Sequence, residues 1–299
     1  DFDNLTLVLP PNFPVNSSNI SNDERRSFLA YEYRYNDKNL LVYKRLPGKR
    51  YEEFVYDNKN RLIGSSNVYS PNTGIQNNTW YYTFYDDFNR IKYTGNKSGG
   101  TFNPNISHTS TNILTENFYD SYPNFNNIVL PEQVLGQLVN TKIKGLQTGS
   151  LIAVIDEGLI FNNVGNSQIK YNKNVTLYDH KYRPIAQYIF YPNGGYLKVE
   201  SLLDFSGKTL ETHTFHKENQ NAQEIYIKEV FTYSPEDRLL SHTHQINNGT
   251  IENLAVNQYD DLGQVIQKHV GGNGIPLQTV DYNFNIRGWL TDINNIAQP

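Results

Sequence analysis

The sequence predicts an all-β protein built from short antiparallel hairpins, on three observations. A seven-residue segment opening on Tyr-Asp recurs along the chain. The stretches between its copies alternate with period two rather than 3.6. The composition combines 23 Tyr and 15 Phe with abundant Asn and Gly, which suits half-wet strands joined by tight turns.

The recurrence carries most weight. "YYTFYDDFNRIK" (81–92) and "AVNQYDDLGQVI" (255–266) place one pattern 174 positions apart, 259 minus 85. Aligned on that pattern, the chain gives "YNDKNLL" at Tyr35, "YDNKNRL" at Tyr56, "YDDFNRI" at Tyr85 and "YDHKYRP" at Tyr178. It continues with "LDFSGKT" at Leu203, "YSPEDRL" at Tyr233, "YDDLGQV" at Tyr259 and "YNFNIRG" at Tyr282. The steps are 21, 29, 93, 25, 30, 26 and 23 residues, and Tyr119 in "FYDSYPNFNNI" is one candidate for a degenerate copy inside the long step.

The motif has the chemistry of a turn. Its fifth position is Asn39, Asn60, Asn89, Gly207, Asp237 or Gly263, with Tyr182 and Ile286 as exceptions. Gly, Asn and Asp enter the left-handed region at least cost, as a short hairpin loop requires. A second-position carboxylate (Asp57, Asp86, Asp179, Asp204, Asp260) can accept neighbouring backbone N–H groups as an Asx turn. The first-position tyrosine and the aliphatic residue after the turn then lie on flanking strands and pair across the sheet. One hairpin is marginal in water, so neighbouring hairpins must stack.

Between the turns, "GGYLKVESLL", "KTLETHTFH" and "EIYIKEVFTY" read as strands. "PEQVLGQLVNTKIKGL" (131–146) could hold a short helix, against which Gly136 and Gly145 count. Residues 1–27, rich in Pro, Asn and Ser, read as an extended arm, and 28–299 as one continuous repeat region.

Composition excludes several functions. With 37% hydrophobic and 19% charged residues the chain is globular. A net charge of −4 with no basic tract gives nucleic acid nothing to hold. No apolar run reaches the ~20 residues of a membrane span, and "GSLIAVIDEGLIF" is broken by Asp156 and Glu157. The absence of Cys excludes disulfides and thiolate chemistry. With no Met, residue 1 is not a retained initiator, so a processed chain or an excerpt is expected.

Few residues invite a catalytic or ligand-binding reading. Asp86-Asp87 and Asp260-Asp261 resemble paired carboxylates, but adjacent strand residues point to opposite faces and both pairs occupy the turn register. His242 and His244 share a strand face, with His213 and His216 one repeat earlier. Stacked strands could bring His244 near one of that earlier pair at metal-ligand range, although no third ligand is evident by spacing. Ordinary occupancy of a half-exposed strand is the alternative. No G-x-S-x-G, P-loop, G-x-G-x-x-G or H-E-x-x-H occurs, so no enzyme and no cofactor is expected. Trp80 and Trp289 read as sheet anchors, and the Asn-x-Ser/Thr triplets are those expected in a chain this rich in Asn.

"YDNKNRLI", "YDDFNRIK", "QYDDLGQVIQKHVGG" and "LQTVDYNFNIRGWLTDINN", the last holding Arg287, resemble the RHS/YD-repeat family, as does "KGLQTGSLIAVID". The resemblance spans roughly residues 28–295. It implies a β-sheet strip wound spirally into a hollow cocoon that, in toxin members, encloses a C-terminal effector. It also implies an exported or cell-surface bacterial protein, in some cases associated with the outer membrane. Its partners would be a polypeptide cargo or other chains of a larger assembly. The family's self-cleaving core has no counterpart here, so the chain reads as a segment of a longer shell. The alternatives are a surface module that binds glycan or protein, suggested by the Tyr- and Asn-rich surface, and an accessory subunit docked on a secretion assembly.

Overall fold

Most described strands are followed within a few residues by Gly, Asn, Asp or Pro, and among the described residues none exceeds nine residues. The computed structural model describes residues 4–11, 29–49, 51–68, 79–126, 128–155 and 169–294. Among these are 21 strands and one 3-10 turn, His108–Ser110, in the all-β hairpin arrangement the sequence predicts. No helix of the described residues is long and apolar enough to cross a membrane. Contacts divide the chain into two compact units, Asp1–Asn117 with Leu151–Tyr171, and Phe118–Ser150 with Asn172–Pro299. Most of the predicted arm lies outside the described residues.

In the first unit β1 (Leu7–Val8) pairs with β2 (Tyr31–Tyr35). An antiparallel meander then runs through β3 (Leu41–Arg45), β4 (Tyr51–Tyr56), β5 (Leu62–Val68), β6 (Thr79–Tyr85), β7 (Ile91–Ser98) and β8 (Asn112–Tyr119). Its core forms where the β7–β8 connection folds back over the sheet. Phe102 lies against Trp80 and Tyr82, with ring centroids 5.1 and 4.9 Å apart. Room for Phe102 comes from Gly64, which pairs with Tyr82 and where a Cβ would collide with the Phe102 ring. His108 stacks on Tyr93 at 4.3 Å, and the Trp80 indole donates to the Gly100 carbonyl.

The second unit contains a small hairpin, β9 (Gln133–Val134) with β10 (Gln137–Leu138), in place of the helix expected over 131–146. Leu135 and Gly136 both have positive φ, the two-residue turn whose twist suits a hairpin and which ends any helix. After β11 (Gln147–Ala153) and β12 (Tyr171–Tyr178) the meander passes through β13 (Pro184–Phe190), β14 (Tyr196–Leu203), β15 (Thr209–Lys217) and β16 (Ile225–Tyr233). It ends with β17 (Leu239–Ile246), β18 (Glu252–Tyr259), β19 (Val265–Val270), β20 (Gln278–Phe284) and β21 (Leu290–Ile293). The segment before β11 is fastened to these strands. Asn140 N–H donates to the Tyr178 carbonyl, and Gln137 bonds both Ser201 and Leu203 of β14. Phe125, Val134 and Ile143 are buried in this segment, as are Val175, Leu177, Ile185, Ala186 and Tyr188 on β12 and β13. Beyond β14 most strand residues are only half-buried.

Trp80 is buried, whereas Trp289 is 63% exposed and lies outside any core. Trp289 follows the last hairpin turn, and the Arg287 guanidinium lies 5.7 Å from its ring.

Candidate functional site

Because strands alternate in direction, every second connection of a meander falls on the same sheet edge. Within each unit that edge carries the Tyr-Asp turns. In the turn from Tyr56 to Leu62, Asp57 N–H donates to the Arg61 carbonyl and Asn60 N–H to the Asp57 carbonyl. Asp57 Oδ1 accepts from the N–H groups of Lys59 and Arg61, both at 2.9 Å, while Oδ2 accepts from the Arg61 guanidinium at 2.7 Å. Asn60 occupies the left-handed region at φ +63. Asp86 and Asp179 repeat the arrangement atom for atom with Arg90 and Arg183. At Asp204 the hydroxyl of Ser206 joins the backbone donors, and at Ser234 a hydroxyl replaces the carboxylate. Asn36 and Asp260 fill the same place in "YNDKNLL" and "YDDLGQV".

The left-handed residues are Asn39, Asn60, Asn89, Tyr182, Gly207, Asp237 and Gly263. Tyr182, an exception by composition, adopts φ +60 because the Asp179–Arg183 bonds close the loop around it. The last copy is shifted. Its left-handed residue is Gly288 and its side-chain acceptor Asn285, so Phe284, not Tyr282, holds the first position. Arg287 is the fourth residue of that turn, and Tyr282 lies inside β20 opposite Ile293. Tyr119 opens no such turn: Asp120 is itself left-handed, and its carboxylate accepts from Gly145, 25 residues on. One turn of related geometry escaped the motif, Tyr191 to Gly195, where Asn193 supplies the acceptor and Gly194 the positive φ. "PNGG" was its signal in the sequence.

Two further bonds join one turn to the next. The tyrosine hydroxyl reaches back to the residue that closes the preceding turn: Tyr56 to the Leu41 carbonyl, Tyr85 to Leu62, Tyr233 to Thr209 and Tyr259 to Leu239, all at 2.8–3.0 Å. In each case the backbone ladder stops two residues short, at Tyr43, Gly64, Glu211 and Ser241. Each of these tyrosines also sits at a one-residue register shift against the following strand, and its hydroxyl satisfies a carbonyl that the ladder with the preceding strand does not reach. The sixth residue reaches forward. Arg61 donates to Asn89 Oδ1, Arg183 to the carbonyls of Asp204 and Phe205, Lys208 to Asp237, and Gln264 to the Gly288 carbonyl. The Arg61 guanidinium also covers the Tyr85 ring, 4.4 Å from its centroid.

Electrostatics follow this bonding. Partial desolvation pushes the carboxyls of Asp57, Asp86 and Asp179 up, but backbone N–H donors and the guanidinium outweigh it and hold them below the usual carboxylate range. The Ser206 hydroxyl, with backbone donors and Lys208, lowers Asp204 further. Burial raises the phenols of Tyr56, Tyr85 and Tyr178. Asp87 and Asp261 are exposed third-position residues, so neither Asp-Asp pair converges on a shared point.

The histidines are dispersed. His213 and His216, three apart on β15, face opposite sides of the sheet, and β16 separates that strand from His242 and His244 on β17. His213 contacts Glu211 and Tyr226, His242 contacts Glu229 and stacks on Phe231, and His244 contacts Glu252. Among the described residues no group of three or more His, Asp or Glu is placed to hold a metal. A shallow pocket of about 280 Å³ in the second unit is lined by Gln137, Leu138, Asp179, Lys181, Arg183 and Phe205. Its cations are engaged: Lys181 bonds the Phe205 carbonyl and covers the Phe205 ring, and Arg183 is held by Asp179.

Four of the turns carry an apolar residue at the tip. Phe88, Phe205, Leu262 and Ile286 stand at the tips of their turns, each more than three-quarters exposed.

No protein-family model matches the sequence, and no curated protein matches it. Among solved structures the chain is similar to a chain of the TcdB2-TccC3-Cdc42 complex, at 9% identity and a TM-score of 0.31, over 87% of this chain and 14% of that one. It is also similar to a chain of the Photorhabdus luminescens Tc holotoxin pore carrying a TccC3 mutation, at 10% identity and a TM-score of 0.27, over 87% of this chain and 13% of that one. The chain therefore spans about one seventh of the solved chains it matches.

Proposed function

We propose that this chain is a non-enzymatic structural segment of an RHS/YD-repeat shell in an exported bacterial protein, where it encloses or scaffolds a polypeptide cargo. The observation that carries the reading is the turn-to-turn bonding along one sheet edge. At Tyr56, Tyr85, Tyr233 and Tyr259 the hydroxyl satisfies a carbonyl that closes the preceding turn, and Arg61, Arg183, Lys208 and Gln264 donate to the turn that follows. Such a module extends a sheet by repetition and works without a reaction centre. The test is protease treatment of the native protein that contains these residues, followed by mass identification of what survives. A protected polypeptide outside residues 1–299 is expected. Recovery of repeat strands alone would overturn the enclosing role.

A second reading, a surface module that binds protein or glycan, is favoured by the exposed tips Phe88, Phe205 and Leu262. Saturable binding to a glycan array or to cells, lost on changing these three to Ser with folding intact, would select it over the shell.

A further inference from the structure

We propose that Asn273 is a self-modification site, converting through a cyclic imide to aspartate and isoaspartate ahead of the other Asn-Gly pairs of the chain. Three such pairs occur: Asn193-Gly194, Asn248-Gly249 and Asn273-Gly274. In this reaction the glycine nitrogen loses its proton to solvent and attacks Cγ of the asparagine. A C–N bond forms, the side-chain nitrogen leaves as ammonia, and water then adds to either carbonyl of the ring. No redox partner is needed. The chemistry requires a glycine nitrogen that is not donating, a carboxamide free to turn, and space for the ring to close.

The fold grants these conditions unequally. At Asn193 all are denied: Gly194 N–H donates to the Tyr191 carbonyl at 3.1 Å, and the carboxamide is bonded at both ends, to Gly195 N–H and the Glu218 carbonyl. A Cβ on Gly194 would also crowd Gln220. At Asn248 the Gly249 N–H donates to the Ile246 carbonyl at 2.9 Å. Asn273 lies at the tip of the β19–β20 connection, which is fixed at its base by Asn253 N–H to the Gly272 carbonyl and Leu277 N–H to the Val270 carbonyl. Among the described residues neither the Gly274 nitrogen nor the Asn273 carboxamide has a hydrogen-bond partner. Gly274 stands at φ +86 with nothing within 4 Å of a Cβ position. Asn273 is exposed, as are Ile275 and Leu277 beside it, so conversion sets a slowly acquired negative charge next to an apolar surface.

The test is incubation of the whole chain at mildly alkaline pH and 37 °C, with peptide mapping by mass spectrometry over days to locate the gain of about 1 Da that accompanies loss of the amide. Asn273 should convert several-fold faster than Asn248, and Asn193 slowest. In urea the three rates should converge. Gly274→Ala should slow conversion at Asn273 alone, with the circular dichroism of the chain reporting that it still folds. Equal rates in the folded chain would overturn the proposal, as would an order that survives in urea or a Gly274→Ala chain that converts undiminished.

Discussion

Within each unit the strands are reversed in two ways, by a repeated turn on one edge and mostly by single-copy connections on the other. On the Tyr-Asp edge the loops share one geometry, with one left-handed residue and one side-chain oxygen that accepts backbone N–H groups, and several are bonded to their neighbours in sequence. On the other edge the Tyr191–Gly195 turn repeats the bonding of the first, and the other described connections differ from it. Pro47-Gly48 makes a tight turn, residues 99–111 fold back over the sheet, and Gly271 to Leu277 forms an open loop. The difference teaches where stability is repeated and where it is specific. The first edge is held by many small equivalent bonds, each worth about 1 kcal/mol. The second contributes a few single-copy packings, of which Phe102 over Gly64 is the clearest.

The largest expected effect comes from the second edge. Gly64→Val would drive a branched side chain into the Phe102 ring and displace the 99–111 connection from Trp80 and Tyr82. A loss of about 3 kcal/mol is expected in urea denaturation, the upper range for overpacking a core. A neutral result would mean that the connection is not packed on the sheet, and the contrast between the edges would fail.

Next in size is the turn residue. Asn89 holds φ +64, so Asn89→Gly should be tolerated while Asn89→Val costs about 2 kcal/mol. Equal stability of the two variants would break the claim that all these turns share one geometry.

Much of this edge was legible in the sequence, because a turn is a local object whose residue preferences are local. Strand directions and seven of the eight turn positions follow from Tyr, Asp and the fifth residue. The last copy is ambiguous in the sequence because "YNFNIRG" offers two Asn anchors, and the one followed three residues later by Gly288 is the one the backbone uses. The short hairpin at Gln133–Leu138 is not distinguishable from a short helix in the sequence, because Leu and Val fit either period over so few residues. The reason for the tyrosine was not legible at all. Its hydroxyl partner lies 15 to 24 residues upstream, and the need for it arises from a ladder that stops short, a property of pairing and not of composition.

That role gives a finer prediction. Tyr85→Phe removes the bond to the Leu62 carbonyl and should cost about 1 kcal/mol, while Tyr282→Phe, a tyrosine at no such position, should cost nothing measurable. Equal losses would return the tyrosines to a plain packing role.

The smallest effect is a pH dependence, and it separates the two functions of the second-position carboxylate. Asp57 is held below its usual range, partial desolvation being outweighed by the Arg61 and Lys59 N–H groups and the guanidinium. A depressed native value means that the unfolded chain binds the proton more readily. The resulting stability is complete above the unfolded carboxylate value of about 3.9 and is lost as pH falls through the lower native value. Asp57→Asn keeps an oxygen for the Lys59 and Arg61 N–H groups, as Asn36 shows in its own turn, but gives up the charge. Urea midpoints of the two proteins should differ at neutral pH and converge as the solution is acidified below the carboxylate range. If they differ equally at every pH, the carboxylate acts through shape alone. If they never differ, the Asx bonds suffice, and the guanidinium serves the next turn through Asn89 without strengthening its own.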